Sequence, residues 1–148
     1  MRKLFVMFAM IGAAFIFADR AVGQEKEAEL VKIPLNNYIQ GQATGNPEFI
    51  RKAFYKDARI MAFREGKVMN WDVEEFASRF TGTAAKDEAE RKRKIESIDI
   101  SGTAAIAKIS LDYPTVKFID YMALLKIDGE WKIVSKSFNA EPKTPPAK

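Results

Sequence analysis

Residues 118–138 read FIDYMALLKIDGEWKIVSKSF, and this stretch decides the fold. Asp128-Gly129 is a two-residue turn signal between two runs rich in β-branched and aromatic residues, which predicts a β-hairpin. Ser101-Gly102 and Pro114 separate further runs of this kind upstream. We therefore predict four long antiparallel strands in the second half of the chain: Lys94–Ser101, Thr103–Tyr113, Thr115–Ile127 and Glu130–Phe138.

The first half of the chain predicts helices and one small hairpin. Apolar residues recur at helical spacing from Pro34 onward, which predicts a first helix that ends at Gly45. Asn46 is a suitable N-cap and Pro47 a suitable first-turn residue for a second helix. Glu65-Gly66 joins two short strands, Arg59–Phe63 and Lys67–Trp71. Asp72 and Glu75 have the spacing of a capping box, which predicts a third helix that stops before Gly82.

Helices and sheet each need a partner for their apolar faces. We therefore predict an α+β fold, a cone-shaped roll in which three N-terminal helices pack on a curved antiparallel sheet. The predicted domain covers residues 24–140. Three prolines after Glu141 predict a flexible tail over residues 141–148.

The N-terminus has the order of features that is typical of a signal peptide. Arg2 and Lys3 precede an apolar run that ends at Ala18, and Ala21-Val22-Gly23 supplies small residues for cleavage before Gln24. A membrane-spanning helix needs about 20 apolar residues, and this run is shorter. We expect residues 1–23 to be removed, and the protein to be periplasmic or secreted with no membrane attachment after cleavage.

Composition excludes several kinds of chemistry. The 148 residues include no histidine and no cysteine, so a thiolate nucleophile, a serine–histidine triad and the usual zinc sites are excluded. The basic cluster of residues 91–94 follows an acidic stretch, and no aromatic residue lies within it to stack on a base. We predict no nucleic-acid partner, no metal and no cofactor.

Several short motifs, taken in order, resemble one superfamily. They are Tyr38-Ile39 before Gly45-Asn46, the run from Ala53 to Ala58, Ala104–Ala107, Asp120-Tyr121, and the run from Asp128 to Val134. Over about residues 33–138 the chain resembles the nuclear transport factor 2-like superfamily, and within it the putative lumazine-binding group. The resemblance implies the cone-shaped fold, which hosts isomerases, dehydratases, ligand binders and interaction modules.

The resemblance also allows a comparison of catalytic positions. Members of the lumazine-binding group usually have histidine at the position of Tyr55, and a phenol with a pKa near 10 is a poor proton-transfer group at neutral pH. Ketosteroid isomerases of the superfamily use a tyrosine, which aligns with Tyr38, and two acids, which align with Ala62 and Ala123. Alanine can neither accept a proton nor donate a hydrogen bond from its side chain, so we predict no catalytic residue. Asp120 is the nearby acid that a different register of the alignment would offer instead.

The same alignment predicts which residues face the cone. It places Ile119, Tyr121, Ala123, Leu125 and Ile127 inside, and Phe118, Asp120, Met122 and Leu124 on the outer face of the sheet. Apolar residues on that outer face predict a homodimer through the sheet. A buried phenol needs a hydrogen-bond partner, and aromatic side chains are common in ligand sites. The predicted ligand-binding residues are Tyr38, Phe54, Tyr55, Trp71 and Tyr121.

Two functions remain open. The first is an exported, non-catalytic module that binds a small apolar or aromatic ligand, or a protein partner. The alternative is an isomerase- or dehydratase-like enzyme that uses tyrosines and an unidentified carboxylate. An Asp or Glu that points into the cavity with a raised pKa would favour the enzyme.

Overall fold

A computed structural model of the protein describes residues 2–144, with side chains for residues 23–144. The chain forms three α-helices, a single 3-10 turn at Glu88–Glu90 and six strands within this range. The elements are α1 (Arg2–Thr44), α2 (Pro47–Ala53), β1 (Phe54–Arg64), β2 (Lys67–Trp71), α3 (Val73–Ala77), β3 (Lys92–Ser101), β4 (Ala104–Asp112), β5 (Val116–Ile127) and β6 (Glu130–Pro142).

The six strands form one curved sheet in the order β2-β1-β6-β5-β4-β3. Neighbouring strands are antiparallel except β1 and β6, which run parallel and bring the small hairpin onto the edge of the main sheet. The predicted α+β fold and all the predicted strands are confirmed. The sheet is mixed rather than wholly antiparallel, because hairpin patterns predict how consecutive strands pair but not how β1 meets β6.

The local signals around the short helices are confirmed. The Asn46 side chain accepts a hydrogen bond from the backbone N–H of Glu48, with Pro47 in the first turn of α2. Asp72 and Glu75 form the predicted capping box at α3. Gly45, with φ of +69°, ends α1 as predicted.

The prediction that the first helix begins at Pro34 is wrong. Pro34 is fully buried inside α1, which continues through it toward the N-terminus. Proline favours the first turn of a helix but does not require that position, and the buried side chains of Val31 and Leu35 on either side of it attach α1 to the core.

The predicted direction of side chains on β5 is also wrong. Asp120, Met122 and Leu124 are buried against the helices, whereas Tyr121 and Leu125 are exposed on the opposite face. Phe118 also packs against the core. Both faces of β5 are largely apolar, so alternation alone could not decide between them, and the alignment that we used chose the wrong face.

The two ends of the chain bear on the predicted boundaries. The predicted signal peptide covers residues 1–23, and the side chains of residues 1–22 lie outside the described part of the chain. At the other end, β6 continues through Pro142, so the predicted tail does not begin at Glu141. Residues 145–148 lie outside the described residues. Among the residues that the structure describes, no helix is long and apolar enough to cross a membrane.

Candidate functional site

A cavity of about 320 Å³ lies between the helical layer and the sheet, and we call it the inner pocket. Its apolar wall consists mainly of four phenylalanines, Phe76, Phe80, Phe118 and Phe138, beside Leu111 and Ala85. The volume lies at the lower end of the range of about 300–1,000 Å³ that is usual for small-molecule sites. An aromatic wall of this size fits a small ligand with a ring or an apolar body.

Three buried polar side chains line the inner pocket, and we call them the buried triad: Tyr38, Asp120 and Lys136. Their exposed fractions are 0%, 0% and 3%. The Tyr38 hydroxyl donates to Asp120 Oδ2 at 2.6 Å, and Gln42 Nε2 donates to the same hydroxyl at 3.0 Å. Lys136 Nζ lies 3.0 Å from Asp120 Oδ1 and forms an ion pair with it.

One oxygen of the triad has spare capacity to accept a hydrogen bond. Asp120 Oδ1 lies 3.0 Å from Lys136 Nζ, and apart from this ion pair it accepts no hydrogen bond from any of the described residues. Each oxygen of a carboxylate can accept two hydrogen bonds, so Oδ1 has room for a second donor. A ligand N–H or O–H in the inner pocket could therefore bind to Asp120 directly.

The charged end of Lys136 is surrounded by rings. Nζ lies 3.8 Å from the centre of the Phe138 ring and 5.6 Å from the centres of the Tyr38 and Phe76 rings. Ring faces attract an ammonium group, although they do not replace its water shell. Asp120 and the three rings together make burial of this charge possible.

Burial shifts the pKa values of the triad in opposite directions. Desolvation, followed by the negative charge of Asp120, raises the pKa of Tyr38 well above its usual value of 10. Desolvation lowers the pKa of Lys136 below its usual value, and the adjacent Asp120 opposes only part of this effect. The phenol thus stays protonated at neutral pH, while the amine loses its proton more easily than a surface lysine does.

A β-bulge brings the triad together. Asp120 on β5 pairs with Phe138 on β6, so Lys136 is its diagonal neighbour on the same face of the sheet. The register shifts between Ala123 and Leu124, whose partners are Ser135 and Ile133, and Val134 is the extra residue. Regular alternation from the buried Ile133 would place Lys136 outside, whereas the bulge turns it toward the inner pocket.

Two arginines at the pocket are positioned by aromatic rings. The Arg91 guanidinium lies 4.2 Å from the centre of the Tyr113 ring and pairs with Asp87, while that of Arg79 lies 4.4 Å from the Trp71 ring. Arg79 has no ion-pair partner among the side chains of residues 23–144. The pocket lining therefore favours an anionic or carbonyl-bearing ligand over a cationic one.

A close backbone contact fixes the rim of the inner pocket. The Gly82 N–H donates to the Gly45 carbonyl at 2.7 Å, and Gly45 and Thr83 both line the pocket. A Cβ atom on Gly45 would lie 2.1 Å from the Thr83 carbonyl oxygen, and the positive φ of Gly45 also disfavours other residues. Gly45 thus holds the 82–83 segment against the end of α1.

Of the five predicted ligand-binding residues, Tyr38 lines the inner pocket. Phe54 is in the core, edge-on to Tyr38 and Phe76. Trp71 stacks on Phe138 and lines a neighbouring hollow of about 450 Å³ that shares Arg79 and three of the phenylalanines with the inner pocket. Tyr55 is half-buried beside Lys56, away from the pocket.

Tyr121 lies on the outer face of the sheet and is 54% exposed, so its predicted position in the cone is wrong. It lines a hollow of about 320 Å³ there together with Ala123. The expectation that the cone lacks an acid is also wrong, because Asp120 is buried and faces the inner pocket, on the opposite face of β5 from the one that we assigned to it. Ala62 is buried, as a residue on the inner face should be.

Sequence reasoning missed Asp120, Lys136 and the phenylalanine wall. The alignment placed Asp120 on the outer face, and we assigned no position to Lys136, because charged residues are rarely buried. One available signal was that the two charges are opposite in sign and lie on strands joined by a tight hairpin.

The helical layer, the curved mixed sheet and the pocket between them define a protein of the nuclear transport factor 2-like class. The chain belongs to the putative lumazine-binding family, whose model matches residues 26–139.

Solved structures of the same class support this assignment. An NTF2-like protein of unknown function from Shewanella baltica is 28% identical, with a TM-score of 0.72, and the match covers 80% of this chain and 96% of that one. One from Methylobacillus flagellatus is 29% identical, with a TM-score of 0.69, and the match covers 78% and 93% of the two chains.

One similar protein carries the name of an enzyme. The protein named aldolase FrzH, from a Cladobotryum species, is 25% identical to this chain over 109 residues. The match covers 72% of this chain and 85% of that protein.

Proposed function

We propose that this protein binds a small ligand in the inner pocket, and that the ligand has an apolar or aromatic body and one polar group. The observation that carries the proposal is the pairing of an aromatic wall with a buried carboxylate oxygen whose sole polar contact among the described residues is the ion pair with Lys136. The family description and the fold support ligand binding in general.

The polar group of the ligand is oriented by the triad. A donor on the ligand binds Asp120 Oδ1, or an acceptor such as a carbonyl oxygen binds Lys136 Nζ, while its ring or alkyl body contacts the phenylalanines. Arg79 and Arg91 attract a negatively polarised group at another point of the lining. A ligand without any polar group would leave the carboxylate oxygen unsatisfied, which weakens binding.

A pocket-blocking variant tests this proposal. Thr81 lines the inner pocket and is exposed, so Thr81→Trp fills the pocket without disturbing the core. Thr103→Trp, at an exposed turn far along the sheet, is the matched control. Binding of a small aromatic probe such as benzyl alcohol, detected by ligand-observed NMR, is lost in Thr81→Trp and retained in Thr103→Trp. Equal binding in both variants, or no binding by the unmodified protein, would contradict the proposal.

A second candidate function is acid–base catalysis of the isomerase or dehydratase kind. It is favoured by one observation, the inward position of Asp120 with the Tyr38 hydroxyl 2.6 Å away. The similar protein that is named an aldolase is consistent with this candidate function. Turnover of an enolisable ketone that disappears in Asp120→Asn, with folding intact, would establish this function in place of simple binding.

We also propose that the protein is exported after cleavage before Gln24. Residues 24–26 of α1 are exposed, and Glu27 is the first residue, among those whose side chains are described, that forms a hydrogen bond with the sheet, at 2.7 Å from Lys126 Nζ and 3.0 Å from Trp131 Nε1. Cleavage before Gln24 leaves these contacts intact. N-terminal sequencing of protein recovered outside the cytoplasm should begin at Gln24, and an intact Met1 would contradict export by this route.

The outer face of the sheet is our proposed dimer interface. Ile106, Tyr121 and Leu125 expose apolar surface there, with exposed fractions of 62%, 54% and 41%. Pairing of two copies would cover this surface. Ile106→Glu should give a monomer in analytical ultracentrifugation, whereas Val68→Glu, on the distant edge strand β2, should not. A wild-type protein that stays monomeric at all concentrations would overturn the proposal.

A further inference from the structure

We infer that the inner pocket takes aldehydes or ketones and holds them covalently, as an imine on Lys136 Nζ. The inference deepens the proposed ligand-binding function and rests on it. Lys136 is a lysine that lines the pocket and is nevertheless 3% exposed, with a carboxylate at 3.0 Å and a ring face at 3.8 Å. These surroundings provide what a nucleophilic amine requires.

The first requirement is loss of a proton from the ammonium group, since only the neutral amine attacks a carbonyl carbon. Asp120 Oδ1 is positioned to accept that proton. Burial lowers the pKa of Lys136 and so favours the neutral amine. Tyr38 keeps its own proton and donates to Asp120 Oδ2, which holds the carboxylate in place.

The reaction balances with these groups alone. Asp120 takes a proton from Lys136, and the amine lone pair adds to the carbonyl carbon while Asp120 returns a proton to the carbonyl oxygen. After the nitrogen gives a second proton to Asp120, the C–O bond breaks, the hydroxyl accepts that proton, and water leaves. The ammonium and the carbonyl compound have become a protonated imine and one water molecule.

The charge balance of the site favours this product. The protonated imine carries the same positive charge as the ammonium, so the ion pair with Asp120 is retained, and no isolated charge is left in the core. The flat C=N group and its substituent can lie along the Phe138 ring, over which Nζ already sits. A ligand held in this way keeps its apolar body against the phenylalanine wall.

The test is trapping of the imine in the purified protein. Benzaldehyde is added with sodium cyanoborohydride, and the benzylated lysines are identified by peptide mapping over time. We expect Lys136 to be labelled at least about tenfold faster than the exposed Lys117, because a carbonyl held beside one amine reacts at a high effective concentration. Benzyl alcohol, which fits the pocket but has no carbonyl, should slow labelling of Lys136 and leave Lys117 unaffected.

Variants provide a second readout. Lys136→Arg should abolish the rapid labelling, and Lys117→Arg should preserve it. If Lys136→Arg fails to fold, protection of the unmodified protein by benzyl alcohol still decides the question. Labelling of Lys136 no faster than Lys117 would overturn the imine, even where NMR shows that benzyl alcohol binds. Absence of both labelling and benzyl alcohol binding would overturn the proposed ligand-binding function as well.

Discussion

Replacing Asp120 by asparagine tests the central feature of the site, the buried ion pair. The amide keeps the shape of the side chain and an oxygen for the Tyr38 hydroxyl, so the change removes the charge and replaces the oxygen that faces Lys136 by an NH2 group. Lys136, 3% exposed, is then left in the core without its counter-charge. Removing one partner of a buried pair costs about 3–5 kcal/mol, a large part of the roughly 5–15 kcal/mol that stabilises a typical domain.

The sign of the pH dependence follows from the remaining lysine. Burial lowers the pKa of Lys136 in the folded protein, whereas the unfolded chain has the ordinary lysine value of about 10.4. Between these two values the unfolded state binds the extra proton, so the free energy of unfolding rises with pH by at most about 1.4 kcal/mol per pH unit. The defect of Asp120→Asn should therefore shrink as the pH increases toward 10.

The assay is urea unfolding followed by circular dichroism at several pH values. Asp57→Asn is a matched control, because the Lys56–Asp57 pair is exposed to solvent and its loss should change stability little. The double variant Asp120→Asn with Lys136→Met should be more stable than Asp120→Asn alone, since no charge is then buried. If Asp120→Asn unfolds at the same urea concentration as Asp57→Asn at neutral pH, the buried ion pair as described is incorrect.

Two further changes have effects that follow from local geometry. Gly45→Ala should lower the free energy of unfolding by about 1–3 kcal/mol, because the residue has a positive φ and its added Cβ meets the Thr83 carbonyl, and it should weaken binding of benzyl alcohol in the inner pocket. Gly66→Ala is the control, since Gly66 also has a positive φ but no neighbour near an added Cβ. Equal losses in the two variants would contradict the role of Gly45 at the rim. Asp72→Ala removes the capping box of α3 and should cost about 1 kcal/mol, seen as a lower urea midpoint, whereas Asp72→Asn should retain most of the stability.

Local signals made much of the fold predictable from the sequence. Asn46 and Asp72 act through their own neighbours, and the Asp128-Gly129 turn fixes the pairing of the strands on either side of it. These interactions are short in sequence, so they can be recognised without knowledge of the rest of the chain. The parallel contact between β1 and β6 depends on how the whole sheet closes over the helices, and no local pattern indicates it.

The candidate site was less predictable, for a physical reason. Tyr38 follows from helical spacing together with the resemblance, and it does line the pocket. Asp120 and Lys136 are buried because each compensates the charge of the other, and a pairwise effect of this kind is invisible when residues are judged one at a time. Alternation along β6 also fails at Val134, where the bulge reverses the direction of every later side chain.

Because of that bulge, β6 can lose one residue at Val134 without changing which side chains face the inner pocket, but it cannot gain one. If Val134 were deleted, regular alternation from Ile133 would still point Lys136 and Phe138 inward, so the inner pocket would keep its cation and its ring. If one residue were inserted after Val134 and the strand kept its bulge, Lys136 and Phe138 would turn to the outer face, and the serines on either side of Lys136 would be displaced inward. Related chains can therefore lose a residue here and keep the chemistry of the site, but a gained residue must be offset elsewhere in the strand.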